Sequence, residues 1–159
     1  MGIRKSPRRA GMSRPLVVGL DGSRHGSRVV AHLARWSGRG RAVVVRVVEP
    51  VRLPSVALAP ASVRAAIGGL ARAELAARVR RARREVEGAA ARLRRAGWSA
   101  RAIVRIGVPL PELLRAVRRE RAGILAVGAR GAGGAVRLLL GSVADGALKQ
   151  SPIPVLIVR

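Results

Sequence analysis

The sequence predicts an α/β domain built on one parallel sheet with helices over both of its faces. Three observations carry that prediction. Short apolar, largely β-branched runs alternate along the chain with stretches of helical periodicity, the pattern of successive βα units. The strand-like runs are apolar almost without interruption, as in LVVGL (16–20) and ILAV (124–127), which suits strands buried on both faces. The length, 159 residues of which 49% are hydrophobic, suffices for one well-packed domain but not comfortably for two.

Leu16–Leu20 is the first strand, closed by the turn signal Asp21-Gly22. Across residues 27–37, Val29, Val30, Leu33, Ala34 and Trp36 favour a helix with one buried face, stopped by Gly38 and Gly40. Residues 42–48 form a second buried strand, interrupted only by Arg46 and ended by Glu49-Pro50. A loop over 51–61 carries Pro54 and Pro60. Leu75, Val79, Ala82, Val86, Ala89, Ala90 and Leu93 then recur at three- and four-residue steps with arginines opposite, a long helix ended by Gly97. Gly68-Gly69 is expected to break or delay its start. Residues 100–106 are strand-like, and Gly107-Val108-Pro109 is a turn. Leu110, Leu113, Leu114 and Val117 describe a short helix opening at Pro111-Glu112, good residues for a first turn. The strand at 124–127, a glycine-rich loop, a helix starting near Ser142 and a last strand, Val155–Val158, complete the chain.

Composition narrows the chemistry. The chain has no Tyr or Phe and only two Trp, Trp36 and Trp98, so its core is assembled from Val, Leu, Ile and Ala. The lack of cysteine excludes disulfides and thiolate metal sites and fits the cytoplasm, the expected location. His25 and His32 have no third ligand at matching spacing, so no metal site is expected. No apolar run approaches the roughly 18–20 residues that span a bilayer. Residues 1–14 read as a basic disordered tail lacking the apolar middle of an export signal, and 15–159 as the domain. The net charge of +24 comes almost wholly from arginine, Lys5 and Lys149 being the only lysines. Such charge attracts polyanions, but Asn, Thr, Tyr and Phe are also absent, which points to compositional bias. Arg72, Arg78, Arg80, Arg81, Arg83 and Arg84 have no aromatic residues among them. Any nucleic-acid contact is therefore expected to be electrostatic, non-specific and steeply salt-dependent.

The most informative spacing is Gly128, Gly131, Gly141 and Ser142, in the order Gly-x2-Gly-x9-Gly-Ser, directly after the strand that ends at Val127. Glycines let a backbone come close and adopt positive φ, and the amides of a helix N-terminus point at an anion, so the pattern suits phosphate. It is not a Walker loop, because no Gly-Lys-Ser/Thr follows, nor the dinucleotide fingerprint Gly-x-Gly-x-x-Gly. Ser23 and Ser27 have no His/Asp partner in a nucleophile pattern and read as caps or surface residues.

On these residues the chain resembles the universal stress protein family over nearly all of 15–159. Val17-Val18-Gly19-Leu20-Asp21-Gly22-Ser23 is similar to the family's opening strand and its exit. Gly107-Val108-Pro109 stands at its Gly-x-Pro turn, and ILAVGARG (124–131) resembles its fourth strand and loop. Gly141-Ser142-Val143 and SPIPVLIV (151–158) follow its closing pattern. The resemblance implies a doubly wound parallel five-stranded sheet of order 3-2-1-4-5, with homodimers formed through the last strand. It also implies a ligand crevice where the chain reverses between strands 1 and 4. By analogy with ATP-binding members, Asp21, Val47 and Val127 would line the adenosine pocket, with Asp21 accepting a hydrogen bond. Gly128, Ala129, Arg130 and Gly131 would form the near side of a phosphate loop. Gly141, Ser142 and Val143 would present amides to the phosphates, and the helix beginning there would add about 0.3–1 kcal/mol. Arg130 and Arg137 would neutralise further charge. The implied cofactor is ATP, with magnesium. Two positions depart from the family: Ala122-Gly123 replaces an Asp common before the fourth strand, and Gln150 a common His.

The function so implied is adenine-nucleotide binding by a regulatory or partner-binding module. A slow ATPase or nucleotide-processing enzyme on the same fold is one rival, although the phosphate loop offers no acid or histidine besides Asp21 to orient water. The other rival is a basic polyanion-binding protein with a vestigial nucleotide site.

Overall fold

The computed structural model describes residues 13–36, 40–52, 60–130 and 140–159. Strands and helices alternate throughout: β1 (Leu16–Leu20), α1 (Arg24–Ala34), β2 (Arg41–Val48), α2 (Ala61–Arg95), β3 (Ser99–Ile106), α3 (Pro109–Arg119), β4 (Ile124–Gly128), α4 (Ser142–Gln150) and β5 (Val155–Val158). The strands form one parallel sheet in the order β3-β2-β1-β4-β5, so the doubly wound α/β fold and its strand order are as expected. Most of the expected tail, residues 1–12, lies outside the described residues. No helix among the described residues is long and apolar enough to cross a membrane.

The two-residue period of a strand explains why apolar runs, rather than alternating ones, build this sheet. Leu16 and Val18 of β1 point to one face, where they pack with Val44, Leu33 of α1 and Val86 and Leu93 of α2. Val17 points to the other, with Val43, Val45, Leu113 and Val117 of α3 and Ala147 of α4. Both faces are covered, and each fully buried Leu or Val there contributes about 1.5–3 kcal/mol. Trp98 Nε1 donates to the Leu33 carbonyl at 3.1 Å, and its ring lies 6.5 Å from that of Trp36, joining the end of α1 to the start of β3.

The helix boundaries differ from expectation for identifiable reasons. The first helix begins three residues earlier, at Arg24, because Ser23 caps it through its side chain. The expected stop at Gly38 lies outside the described residues. The third helix opens at Pro109 rather than Pro111, which takes the expected Gly107-Val108-Pro109 turn into its first turn. The larger correction is α2, which runs unbroken through Gly68-Gly69 for 35 residues. Two interior glycines cost about 2 kcal/mol, but the flanking alanines are the best helix formers, and interruption would require a second nucleation. At 1.5 Å per residue α2 is about 52 Å long, twice the roughly 26 Å of an eight-residue strand. Accordingly its buried residues, Ala82, Val86, Ala89, Ala90 and Leu93, all lie in its C-terminal half.

Candidate nucleotide site

β1 is hydrogen-bonded on one side to β2 and on the other to β4, and the chain winds outward from it in both directions. The loops leaving β1 and β4 therefore diverge to opposite faces and leave a crevice at the C-terminal ends of those two strands. Asp21 follows β1 and Gly128 ends β4, so residues far apart in sequence are neighbours here.

Asp21 is fixed through one of its oxygens. Its Oδ1 accepts from the Ser23 amide at 3.0 Å and from the Ser23 hydroxyl at 2.6 Å. The Ser23 oxygen in turn accepts from the amides of His25 (3.1 Å) and Gly26 (3.3 Å), capping α1. Gly22 makes the turn between them at φ +76°, which glycine adopts without strain. The second carboxylate oxygen, Oδ2, is buried with no hydrogen-bond partner. A buried acceptor left unpaired costs about 1–3 kcal/mol, and more when charged. It is the strongest sign in the crevice of a missing donor.

The glycine motif divides into parts with different work. A Cβ at Gly128 would lie 2.9 Å from His25 Cβ and 3.2 Å from the His25 carbonyl carbon, so glycine lets the start of α1 press against the end of β4. The Ala129 amide donates to Val158 at 2.8 Å, and the Gly141 amide donates to the Ala129 carbonyl at 2.8 Å. These bonds close the neck of the loop between 129 and 141. Gly141 is the N-cap of α4 and no side chain caps it; the Asp145 amide is bonded back to Gly141. Ser142, Val143 and Ala144 are thus the amides that the helix N-terminus presents. Asp145, the acid of that first turn, is paired with Lys149 Nζ at 2.7 Å. Gly131 and Arg137 lie outside the described residues, and Arg130 is half-buried.

Val47 and Val127 belong to the α3/α4 side of the sheet, Val127 buried and Val47 half-buried, with Val47 level with Asp21 by the β1–β2 register. The predicted residues that are described therefore gather at one end of the sheet. Three further residues join them that the sequence did not mark. His25 lies against Gly128. Arg46, the charge that interrupts the apolar run of β2, is opposite Leu20, and its guanidinium covers Gly22, where a Cβ would clash with Nη1. Glu85 of α2 sits 2.8 Å from that Nη1, misaligned for a hydrogen bond, so Arg46 Nε and Nη1 and Glu85 Oε2 are all buried without one. Only the break in a valine strand hinted at Arg46. Among the described residues no group of three or more His, Asp or Glu gathers to hold a metal.

A model of the universal stress protein family matches residues 12–159. The chain belongs to the universal stress protein family. Solved structures agree on the fold. The hypothetical protein MJ0577, whose biochemical function was assigned from its structure, superimposes with a TM-score of 0.76 at 19% identity, covering 92% of this chain and 96% of that one. A universal stress protein in complex with cAMP gives 0.57 at 21% identity, with 92% and 96% covered. The universal stress protein from Archaeoglobus fulgidus in complex with dAMP gives 0.51 at 19%, with 92% and 98% covered. A search of the curated proteins finds no match.

Proposed function

We propose that this universal stress protein binds an adenine nucleotide, ATP with magnesium, in the crevice between β1 and β4. The observation that carries the reading is the buried, unpartnered Oδ2 of Asp21 at the reversal point of the sheet. The complexes of two structural relatives with cAMP and dAMP support the adenine class. Asp21 Oδ2 accepts from a donor of the nucleoside, whose walls are Val47 and Val127. Gly128, Ala129, Arg130 and Gly131 flank the phosphates on one side. On the other, Ser142 and Val143 supply amides and Ser142 its hydroxyl, while Gly141 holds the neck of the loop. Magnesium arrives with the phosphates, whose oxygens supply its ligands.

In this reading residues 15–159 are the nucleotide-binding unit, in the cytoplasm, and occupancy regulates what the protein contacts. A bound nucleotide touches the start of α1, the end of β4 and the start of α4 together, so its effect is distributed over the fold. Pairing of two copies through β5 accompanies it: among the described residues β5 is an edge strand, hydrogen-bonded to β4 alone, and Val155, Leu156 and Ile157 are only half-buried. Isothermal titration of nucleotide-free protein with ATP and magnesium tests the binding. One saturable site, competed by AMP but not by inorganic phosphate at equal concentration, is the expected outcome; absence of saturation overturns the reading.

A further inference from the structure

At the opposite end of the sheet lies an open groove of about 830 Å³. It is formed where the strands begin, about 16 Å from the crevice for a five-residue β1. Arg14 leads into β1 and Arg41 opens β2; Arg118 and Arg119 end α3, and Arg121 follows it. All five are exposed, and none has an ion-pair partner among the described residues. The one carboxylate in the lining, Glu120, is already ion-paired with Arg101. The floor is small and apolar, with Pro15, Ala122 and Ile153.

Charge at the end of a helix has an ordinary cause, since cations complement the carbonyl end of α3. That accounts for Arg118 and Arg119. It does not account for Arg14 and Arg41, which stand at strand starts, nor for Arg121. The helices α2 and α3 end in the same pair of hydrogen bonds. In α2 they run from the Gly97 amide to Arg94 (2.9 Å) and from Trp98 to Leu93 (3.0 Å); in α3, from Arg121 to Arg118 (3.1 Å) and from Ala122 to Val117 (3.0 Å). This motif places one residue in the left-handed region, normally glycine. The first helix end uses Gly97 at φ 91°, whereas the second uses Arg121 at φ 49°, the one non-glycine residue with positive φ among the described residues. In a chain with 19 glycines, the left-handed position that opens on the groove carries an arginine.

We propose that this groove binds the phosphate backbone of a nucleic-acid duplex, without regard to sequence, as a site separate from the nucleotide crevice. Guanidinium groups match phosphate oxygens in a bidentate fork, and five arginines lining one groove suit a ridge of phosphates. The concave shape does not suit a flat lipid surface. Unpaired bases would need aromatic side chains to stack on, but Trp98 is buried and Trp36 is packed between His32 and Trp98. A duplex keeps its bases inside and presents only phosphates, which fix position without reading sequence.

Fluorescence anisotropy of the full chain with a labelled duplex, between 50 and 200 mM salt, tests the assignment. Each phosphate contact contributes about 0.9 to the slope of log affinity against log salt. The triple variant Arg118→Ala, Arg119→Ala, Arg121→Ala is expected to flatten the slope by about 2.7. An equal-charge control, Arg72→Ala, Arg80→Ala, Arg84→Ala on exposed α2 positions, leaves it unchanged. Equal flattening in both variants means that diffuse charge does the binding and overturns the proposal, as does tight binding of inorganic polyphosphate with none of duplex. The single variant Arg121→Gly is expected to raise the melting temperature while flattening the slope by about 0.9, movements a damaged fold would not combine. An unchanged slope in that variant excludes Arg121 from the contact and overturns its part in the groove.

Discussion

Alanine at position 21 is expected to weaken ATP binding by about 10- to 150-fold, the value of a hydrogen bond to a charged acceptor, ~1.5–3 kcal/mol. Without ligand, the same change is expected to alter stability by less than about 1 kcal/mol. Two effects oppose each other there. Ser23 loses the carboxylate that orients its cap, while the unpartnered Oδ2 and its burial cost disappear. With ATP at 100 times its Kd, the parent gains about 2.7 kcal/mol, which is roughly 5–10 °C of melting temperature for a domain of this size. At the same ATP concentration the variant should keep only about 0.3–1.4 kcal/mol of that gain. Asp21→Asn separates the two oxygens: if the amide oxygen keeps the Ser23 bonds, an NH₂ donor stands where Oδ2 met a nucleoside donor. The asparagine variant is therefore expected to melt like the unliganded parent and to show an ATP shift reduced as in the alanine variant. Calorimetric melting with and without ATP reads all three proteins, and an Asp21→Asn variant with the parent's shift would remove Asp21 from the site.

Valine at position 128 is expected to lower stability by about 1–3 kcal/mol, seen as a drop of roughly 3–10 °C in melting temperature. A Cβ there meets the backbone of His25 at 3.2 Å, and backbone at a helix start cannot rotate away as a side-chain tip can. Relief requires moving the start of α1, and with it the Ser23 cap and Oδ1 of Asp21. Nucleotide affinity should fall together with stability. The contrast is Gly88→Ala on the exposed side of α2, where a Cβ meets nothing within 4 Å: that change should stabilise by about 1 kcal/mol and leave ATP binding untouched. A Gly128→Val protein as stable as the parent would show that the approach of α1 to β4 is looser than described.

The strands were legible because burial on both faces leaves little choice but unbroken runs of Val, Leu and Ile; β1 and β5 fall where the runs do. Their spatial order was not in the periodicity, since any parallel arrangement buries such runs equally well. It came with the family's motifs. The start of α1 was missed because it depends on one hydroxyl, that of Ser23, which looks like any surface serine until Asp21 is seen holding it. The continuity of α2 was missed because a glycine pair reads as punctuation, whereas helix propensity is summed over the whole segment. Gly128 was legible as part of a glycine motif suited to phosphate; the structure adds a tertiary role, the close approach of His25. Arg46 and Glu85 were not readable as a pair, because nothing local shows that β2 and the middle of α2 meet beside the crevice. Nor can sequence reveal that Arg121 adopts a backbone conformation glycine would take more easily.

A crystal structure of the protein grown with ATP and magnesium tests the central claim most directly. It should place adenosine between the C-terminal ends of β1 and β4, with a nucleoside donor about 2.7–3.2 Å from Asp21 Oδ2 and the phosphates at the amides that open α4. Nucleotide density elsewhere, with Asp21 Oδ2 still lacking a donor, would contradict it.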